Sequence, residues 1–183
     1  MSAARVVMGV MVCAAIAGAA IFTWSCGDPV HDARVSALGD EQGSTGPLHR
    51  PGQPCLTCHG GDGPASAELS IAGTIYQSAA AGSPGLAGAT VTIFDAKQLA
   101  DGGAPHTTVT NGAGNFFFRR TEWSPTYALH DISVTFNGVT ANMHTTVGRD
   151  GSCSTCHFDP KSNASHGHIY LVLEPADLPG AMP

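Results

Sequence analysis

Two five-residue stretches, Cys55-Leu56-Thr57-Cys58-His59 and Cys153-Ser154-Thr155-Cys156-His157, repeat one pattern of reactive side chains: two thiols three positions apart, with an imidazole directly after the second. That pattern suits covalent attachment of a c-type haem, the thiols adding to the two porphyrin vinyls and the imidazole binding iron. On one tight helical turn the two sulfurs reach neighbouring pyrroles, and the next side chain swings beneath the ring centre. Each copy therefore predicts one haem, held through Cys55 and Cys58 or through Cys153 and Cys156, with His59 and His157 as axial ligands. Two other chemistries use Cys-x-x-Cys: a thiol–disulfide redox pair, and half of a closed four-thiolate zinc centre. The zinc centre has no use for the histidines, yet both copies carry one.

The chemistry of such an iron depends on what stands opposite the first histidine. Candidates are His31, His49, His106, His130, His144, His166, His168, Met143 and Met182. His49 precedes its motif by a short segment that Pro51 and Pro54 stiffen, and His144 stands in a comparable place before Cys153. These two are the expected distal ligands. Met143 is the alternative to His144, since neighbouring strand residues face opposite sides and cannot both point at one haem. His166 and His168 follow the second motif closely and are held in reserve. His106 and His130 read as solvated strand-edge residues, and His31 as part of a tether.

The elements that position these groups follow from the rest of the chain. Met1 to Arg5 carries one positive charge, and Val6 to Phe22 is an apolar run rich in small residues, the order and length of a signal peptide over residues 1–25. It is too short and too rich in Ala and Gly for a permanent membrane span. Of six cysteines, Cys13 leaves with this run and four serve the motifs, so Cys26 is left over. Thr23-Trp24-Ser25-Cys26 resembles a bacterial lipoprotein cleavage site, which predicts that Cys26 is lipidated. Ser25 fits that pattern, whereas Thr23 and Trp24 depart from it; ordinary cleavage near Ala20 is the other reading.

Residues 26–48 are polar, without a sustained period, and read as a flexible tether into a first haem-binding segment at 49–67. From Leu69 the pattern changes to period two: Ile71, Gly73 and Ile75; Val91 and Ile93; Ile132, Val134 and Phe136. Turn signals separate these runs at residues 81–85, 101–105 and 111–115 and at Asn137-Gly138. Six or seven short antiparallel strands, the last at His168 to Leu173, predict a mainly β protein. Its small sandwich spans residues 68–145, followed by a second haem-binding segment and closing strand at 146–183.

The middle of the chain resembles the carboxypeptidase regulatory-like family of transthyretin-like β-sandwiches. The likeness is carried by Ala72-Gly73-Thr74-Ile75-Tyr76, by Gly88-Ala89-Thr90-Val91-Thr92-Ile93 and by the run from Thr108 to Phe118, with its Thr-x-Thr-Asn-x-x-Gly-x-Phe-like core. It implies a scaffold more than an activity. The whole chain is similar to small exported bacterial proteins in which such a sandwich lies between haem-attachment motifs, a likeness that suggests Met143 as the ligand used.

Together these features predict an exported dihaem c-type cytochrome that passes single electrons to redox partner proteins, other cytochromes among them. Its place is the periplasm, outer membrane or cell surface, with membrane attachment through a lipid on Cys26. It is an electron carrier rather than an enzyme, since nothing in the pattern needs a substrate pocket. A haem enzyme or ligand sensor with an open iron position, and a zinc-bound surface module, are the alternatives. The net charge of -6 argues against nucleic acid, whose phosphates call for basic residues. Arg119 and Arg120, near Glu122 and Trp123, read as a solvated loop, with docking of an acidic partner or a propionate as the other reading. Asp131 and Asp150 form no recognisable acid/base pair.

Overall fold

The computed structural model describes residues 28–41 and 45–172, and the chain divides after Arg34 into two units. The expected signal peptide, Cys13, the site at Cys26 and Met182 lie outside the described residues. Where a tether is expected, helix α1 forms over Pro29–Ala37. Its start is local chemistry: Val30 N–H donates to Asp28 Oδ1 at 2.9 Å, and Pro29 takes the first-turn position whose N–H would have no helical partner. Asp32 adds a favourable charge in that turn.

The remaining chain is mainly β, in two sheets. Strands β1 (Leu69–Tyr76), β4 (Asn115–Arg119) and β7 (Ile169–Tyr170) make one, in the order β4-β1-β7. Strands β2 (Thr90–Asp95), β3 (His106–Val109), β5 (Leu129–Phe136) and β6 (Val139–Asn142) make the other, in the order β3-β2-β5-β6. Ile71, Ile75, Phe116 and Phe118 from the first sheet meet Val91, Ile93, Leu129 and Val134 from the second in one buried core. The small sandwich read from the period-two pattern is therefore the fold. Asn137 and Gly138, with φ of 47° and 81°, make the tight reversal between β5 and β6 that their pairing suggests.

Three further features depart from the sequence reading. Helix α2 is the short turn Leu56–His59 of the first motif, but a further helix, α3 (Ala96–Asp101), follows β2 directly. Its signal is a capping box: Gln98 N–H donates to Asp95 Oδ1, and Asp95 N–H donates to the Gln98 side chain, each at 2.9 Å. The closing strand is only two residues long and runs parallel to β1, with Ile75 opposite Ile169, rather than antiparallel. Finally, β1 is buried along both faces from Leu69 to Ile75, so it is more than a half-buried strand. Ser70, Ala72 and Thr74 alternate with the core residues and are almost as inaccessible as they are.

That double burial positions the motifs. On one side of β1 the segment before the first motif is fastened, with Gly52 N–H donating to Thr74 Oγ1 at 2.8 Å. After β6 the chain crosses back through a bridge between Leu129 and Val147, and the Gly151 carbonyl accepts the Ala72 N–H at 2.9 Å. Both motifs are thereby delivered to the same strand, although 93 residues lie between His59 and Cys153 in the chain.

Candidate haem-binding sites

The two motifs fold into the same turn. His59 N–H donates to the Cys55 carbonyl and His157 N–H to the Cys153 carbonyl, both at 2.9 Å; Cys58 and Cys156 donate to the same carbonyls, both at 3.2 Å. The turn is helical in the first motif and a 3₁₀ turn over Cys153–Thr155 in the second. In each, the carbonyl of the second cysteine is held by a returning segment, through Ala65 N–H on Cys58 at 3.1 Å and His166 N–H on Cys156 at 2.9 Å. The same segments face the motif imidazoles: His59 Nδ1 lies 2.7 Å from the Ala67 carbonyl and His157 Nδ1 lies 3.1 Å from the Gly167 carbonyl. A carbonyl can only accept, so Nδ1 carries the proton and Nε2 is left with its lone pair, the arrangement in which histidine binds a metal.

Opposite each motif imidazole stands a second one. The ring centres of His49 and His59 are 5.8 Å apart, and those of His157 and His166 are 5.6 Å apart. Two imidazoles that share one ion through metal–nitrogen bonds of about 2 Å have ring centres roughly 6 Å apart, so both pairs have the spacing that a single iron needs.

His49 is placed by a buried polar pair. Thr74 Oγ1 donates to Asn115 Oδ1 at 2.8 Å, and Asn115 Nδ2 donates to the His49 carbonyl at 2.9 Å. Thr74 and Asn115 face each other across β1 and β4, so the sheet itself fixes the loop. The left-handed conformation of Arg50, φ 48°, turns the chain after His49, and its guanidinium ties back to the Gly39 carbonyl at 2.8 Å. His49 Nδ1 lies 3.3 Å from Glu41 Oε1, and neither atom has an aligned hydrogen bond. A cavity of about 330 Å³ opens beside this pair, lined by His49, Cys55, His59, Phe116, Phe117 and Arg119 among others. Apolar walls with one cation suit a flat apolar group that carries carboxylates.

His166 is placed by a closed hairpin. Ser165, buried at its centre, accepts from Phe158 N–H at 2.9 Å and from Gly167 N–H at 3.0 Å, and its hydroxyl donates to the Phe158 carbonyl. His168 closes the base, with Nδ1 2.6 Å from Asp159 Oδ2 and Nε2 2.8 Å from the Ser78 carbonyl. Both its ring nitrogens are thus engaged, and the side chain is a brace rather than a free ligand. His144 is exposed beyond the end of β6, and the contacts of the described residues do not bring it to His157. Met143 is held through its backbone by the Ile132 carbonyl at 2.8 Å. The imidazole beside His157 is therefore that of His166, because the loop after the motif folds on itself while His144 and Met143, before it, stay with the second sheet.

No protein-family model, curated protein or solved structure matches this chain. The site must be judged from its own chemistry. Cys55, Cys58, Cys153 and Cys156 are all free thiols. Burial pushes the Cys55 thiol up to about 11; burial, with Cys55 and Asp150 adding to it, pushes Cys153 up to about 12. A working thiol–disulfide pair needs the reverse, an attacking thiol with a depressed pKa. Burial holds His157 below the usual imidazole range; the Gly167 hydrogen bond opposes this and the neighbouring His166 adds to it, so the ring is neutral and able to ligate. Among the described residues no group of three or more His, Cys, Asp or Glu is arranged to hold a metal ion. A closed zinc centre requires four such donors, whereas a porphyrin brings four nitrogens of its own and asks the protein for one or two. The residues present fit haem.

The other sequence candidates have different work. His106 stacks on Trp123 with ring centres 4.0 Å apart, so it is not a solvated edge residue. His130 lies on β5 opposite Phe94, and His31 lies on α1. Arg120 pairs with Glu68 at 3.2 Å and donates to the Gly60 carbonyl at 3.0 Å, tying the end of the first motif to β4. The stretch read as a solvated loop thus contains a structural tie, and Trp123 within it is buried.

Proposed function

We propose that this chain is an exported dihaem c-type cytochrome that carries single electrons in the cell envelope or at the cell surface. The observation that carries this reading is that each Cys-x-x-Cys-His imidazole, its Nδ1 already held by a backbone carbonyl, faces a second imidazole at the spacing of a shared iron. Cys55 and Cys58 hold one haem and Cys153 and Cys156 the other. In each attachment a thiol S–H adds across a vinyl double bond, forming one C–S and one C–H bond with no leaving group. His59 with His49, and His157 with His166, would hold the two irons. When bound, each haem supplies an iron centre that takes up and returns one electron. Paired histidines give a lower potential than histidine with methionine, and the braced loops on which they stand keep the ligands in place between oxidation states. The partners are redox proteins, other cytochromes among them, and no nucleic acid.

Attachment to the membrane is the second part of the reading, and it rests on Cys26, the cysteine that the count of motif and signal-peptide cysteines leaves over. No helix among the described residues is long and apolar enough to cross a membrane. If a lipid on Cys26 is the anchor, Cys26→Ser moves the protein from the membrane fraction to the soluble fraction of cells. A wild-type protein already soluble, with an unmodified N-terminus by mass, rejects the anchor without touching the haem assignment.

The reading as a whole is tested by the pyridine haemochrome assay on protein matured in an exporting host. Two thioether haems per chain and low-spin ferric signals are expected. Protein without a Soret band but with bound zinc would return the assignment to a structural module.

A further inference from the structure

We propose that the two sites work as one electronically coupled pair: Cys55 and Cys153, the first thiols of the two motifs, converge on Ala72–Gly73 of β1 and hold their two haems side by side. This rests on the haem reading above and adds to it that the electron is shared within the chain, across β1.

Several contacts converge on this strand. Ala72 lines the cavity that contains Cys55, His49 and His59, and the same residue holds the segment that leads directly into the second motif, through a parallel bridge to Ser152 and its hydrogen bond to Gly151. The next residue, Gly73, is where Cys153 packs: a Cβ added there would lie 2.9 Å from the Cys153 Cβ and 2.8 Å from the Phe116 ring. Phe116 lines the Cys55 cavity as well, so one aromatic side chain borders both motifs. Leu56 of the first motif and Gly60 just after it line, with Asp150 and Gly151 from the segment just before the second motif, another cavity of about 400 Å³ that Arg120, Tyr127 and Arg149 also line.

A thioether places the porphyrin edge within two bonds of the sulfur, so the separation of the cysteines sets the separation of the rings. Gly73 is the position that permits this closeness, since any side chain there would push Cys153 away.

Two haems in contact mix their intense Soret transitions, and circular dichroism reads this directly as a pair of bands of opposite sign. The full-length oxidised protein is expected to show such a couplet. Cys55→Ala/Cys58→Ala and Cys153→Ala/Cys156→Ala, each carrying one haem, are expected to lose it. The intact protein gives the same reading without any variant, because half-reduction moves one Soret band away from the other and the couplet should shrink. A full-length spectrum equal to the sum of the two single-haem spectra, or a half-reduced spectrum midway between the oxidised and reduced ones, overturns the coupling while leaving two haems in place. A haemochrome assay without covalent haem removes the functional reading itself, and the coupling with it.

Discussion

Protein carrying Cys55→Ala and Cys58→Ala together is expected to retain one covalent haem of two: the haemochrome absorbance per chain falls by half, and the intact mass falls by one haem beyond the change of side chains. The expectation follows from the separateness of the two turns. Each holds its own thiols and its own imidazole through its own carbonyl hydrogen bonds, and neither motif supplies a hydrogen bond to the other. The fold should survive, since Cys55 and Cys58 are outside the buried core. The reciprocal variant is harsher. Cys153 packs against that core, and truncating it leaves a small void, which typically costs about 1 kcal/mol or more and shows as a lower denaturation midpoint. A mass unchanged in the Cys55/Cys58 variant, apart from the side chains, refutes the attachment.

The second large effect concerns the imidazoles opposite the motifs. His166→Ala is expected to convert one of the two irons to a high-spin state able to bind carbon monoxide, while the other keeps its low-spin signal. His49→Ala should do the same at the other iron. Each loop is closed by bonds that do not involve the ligand side chain, Ser165 and His168 in one case and Thr74 with Asn115 in the other, so the vacated position is not refilled by local rearrangement. His144→Ala, on an exposed residue beyond β6, should leave both irons low-spin. Low-temperature electron paramagnetic resonance and carbon monoxide difference spectra read all three variants. Two low-spin irons in His166→Ala with one opened in His144→Ala would make His144 the ligand and the hairpin merely structural.

The three variants also separate the alternatives. A haem enzyme or ligand sensor needs an open iron position, so its wild-type form binds carbon monoxide before any substitution is made. An electron carrier with both positions filled does not.

What the chain declares by itself is whatever depends on local spacing. Cys-x-x-Cys-His is a local pattern, and the two turns share their internal hydrogen bonds, from the second cysteine and the histidine to the carbonyl of the first cysteine, because those bonds lie within the five residues. The strands β1, β2 and β5 are legible for the same reason: side chains alternate across a pleat, so a period of two reports one buried face. Helices α1 and α3 are not read from the pattern, because their signals, Asp28-Pro29 and the Asp95/Gln98 box, are short and sit in stretches that read as a tether and as strand and turn.

The tertiary structure alone decided which histidines meet. His49 and His144 stand in comparable places along the sequence, but a ligand is chosen by the path of its loop, not by its distance in residues. His49 is brought to His59 because two strands far apart in the chain, β1 and β4, place Thr74 beside Asn115 and so hold its carbonyl. His144 follows β6, whose register belongs to the second sheet, while His166 is carried back by a hairpin whose centre is the hydroxyl of Ser165. The burial of β1 on both faces is the same kind of fact. Alternation predicts one covered face; the second is covered only because both motifs return to that strand, and long-range contacts of this sort leave no period in the sequence.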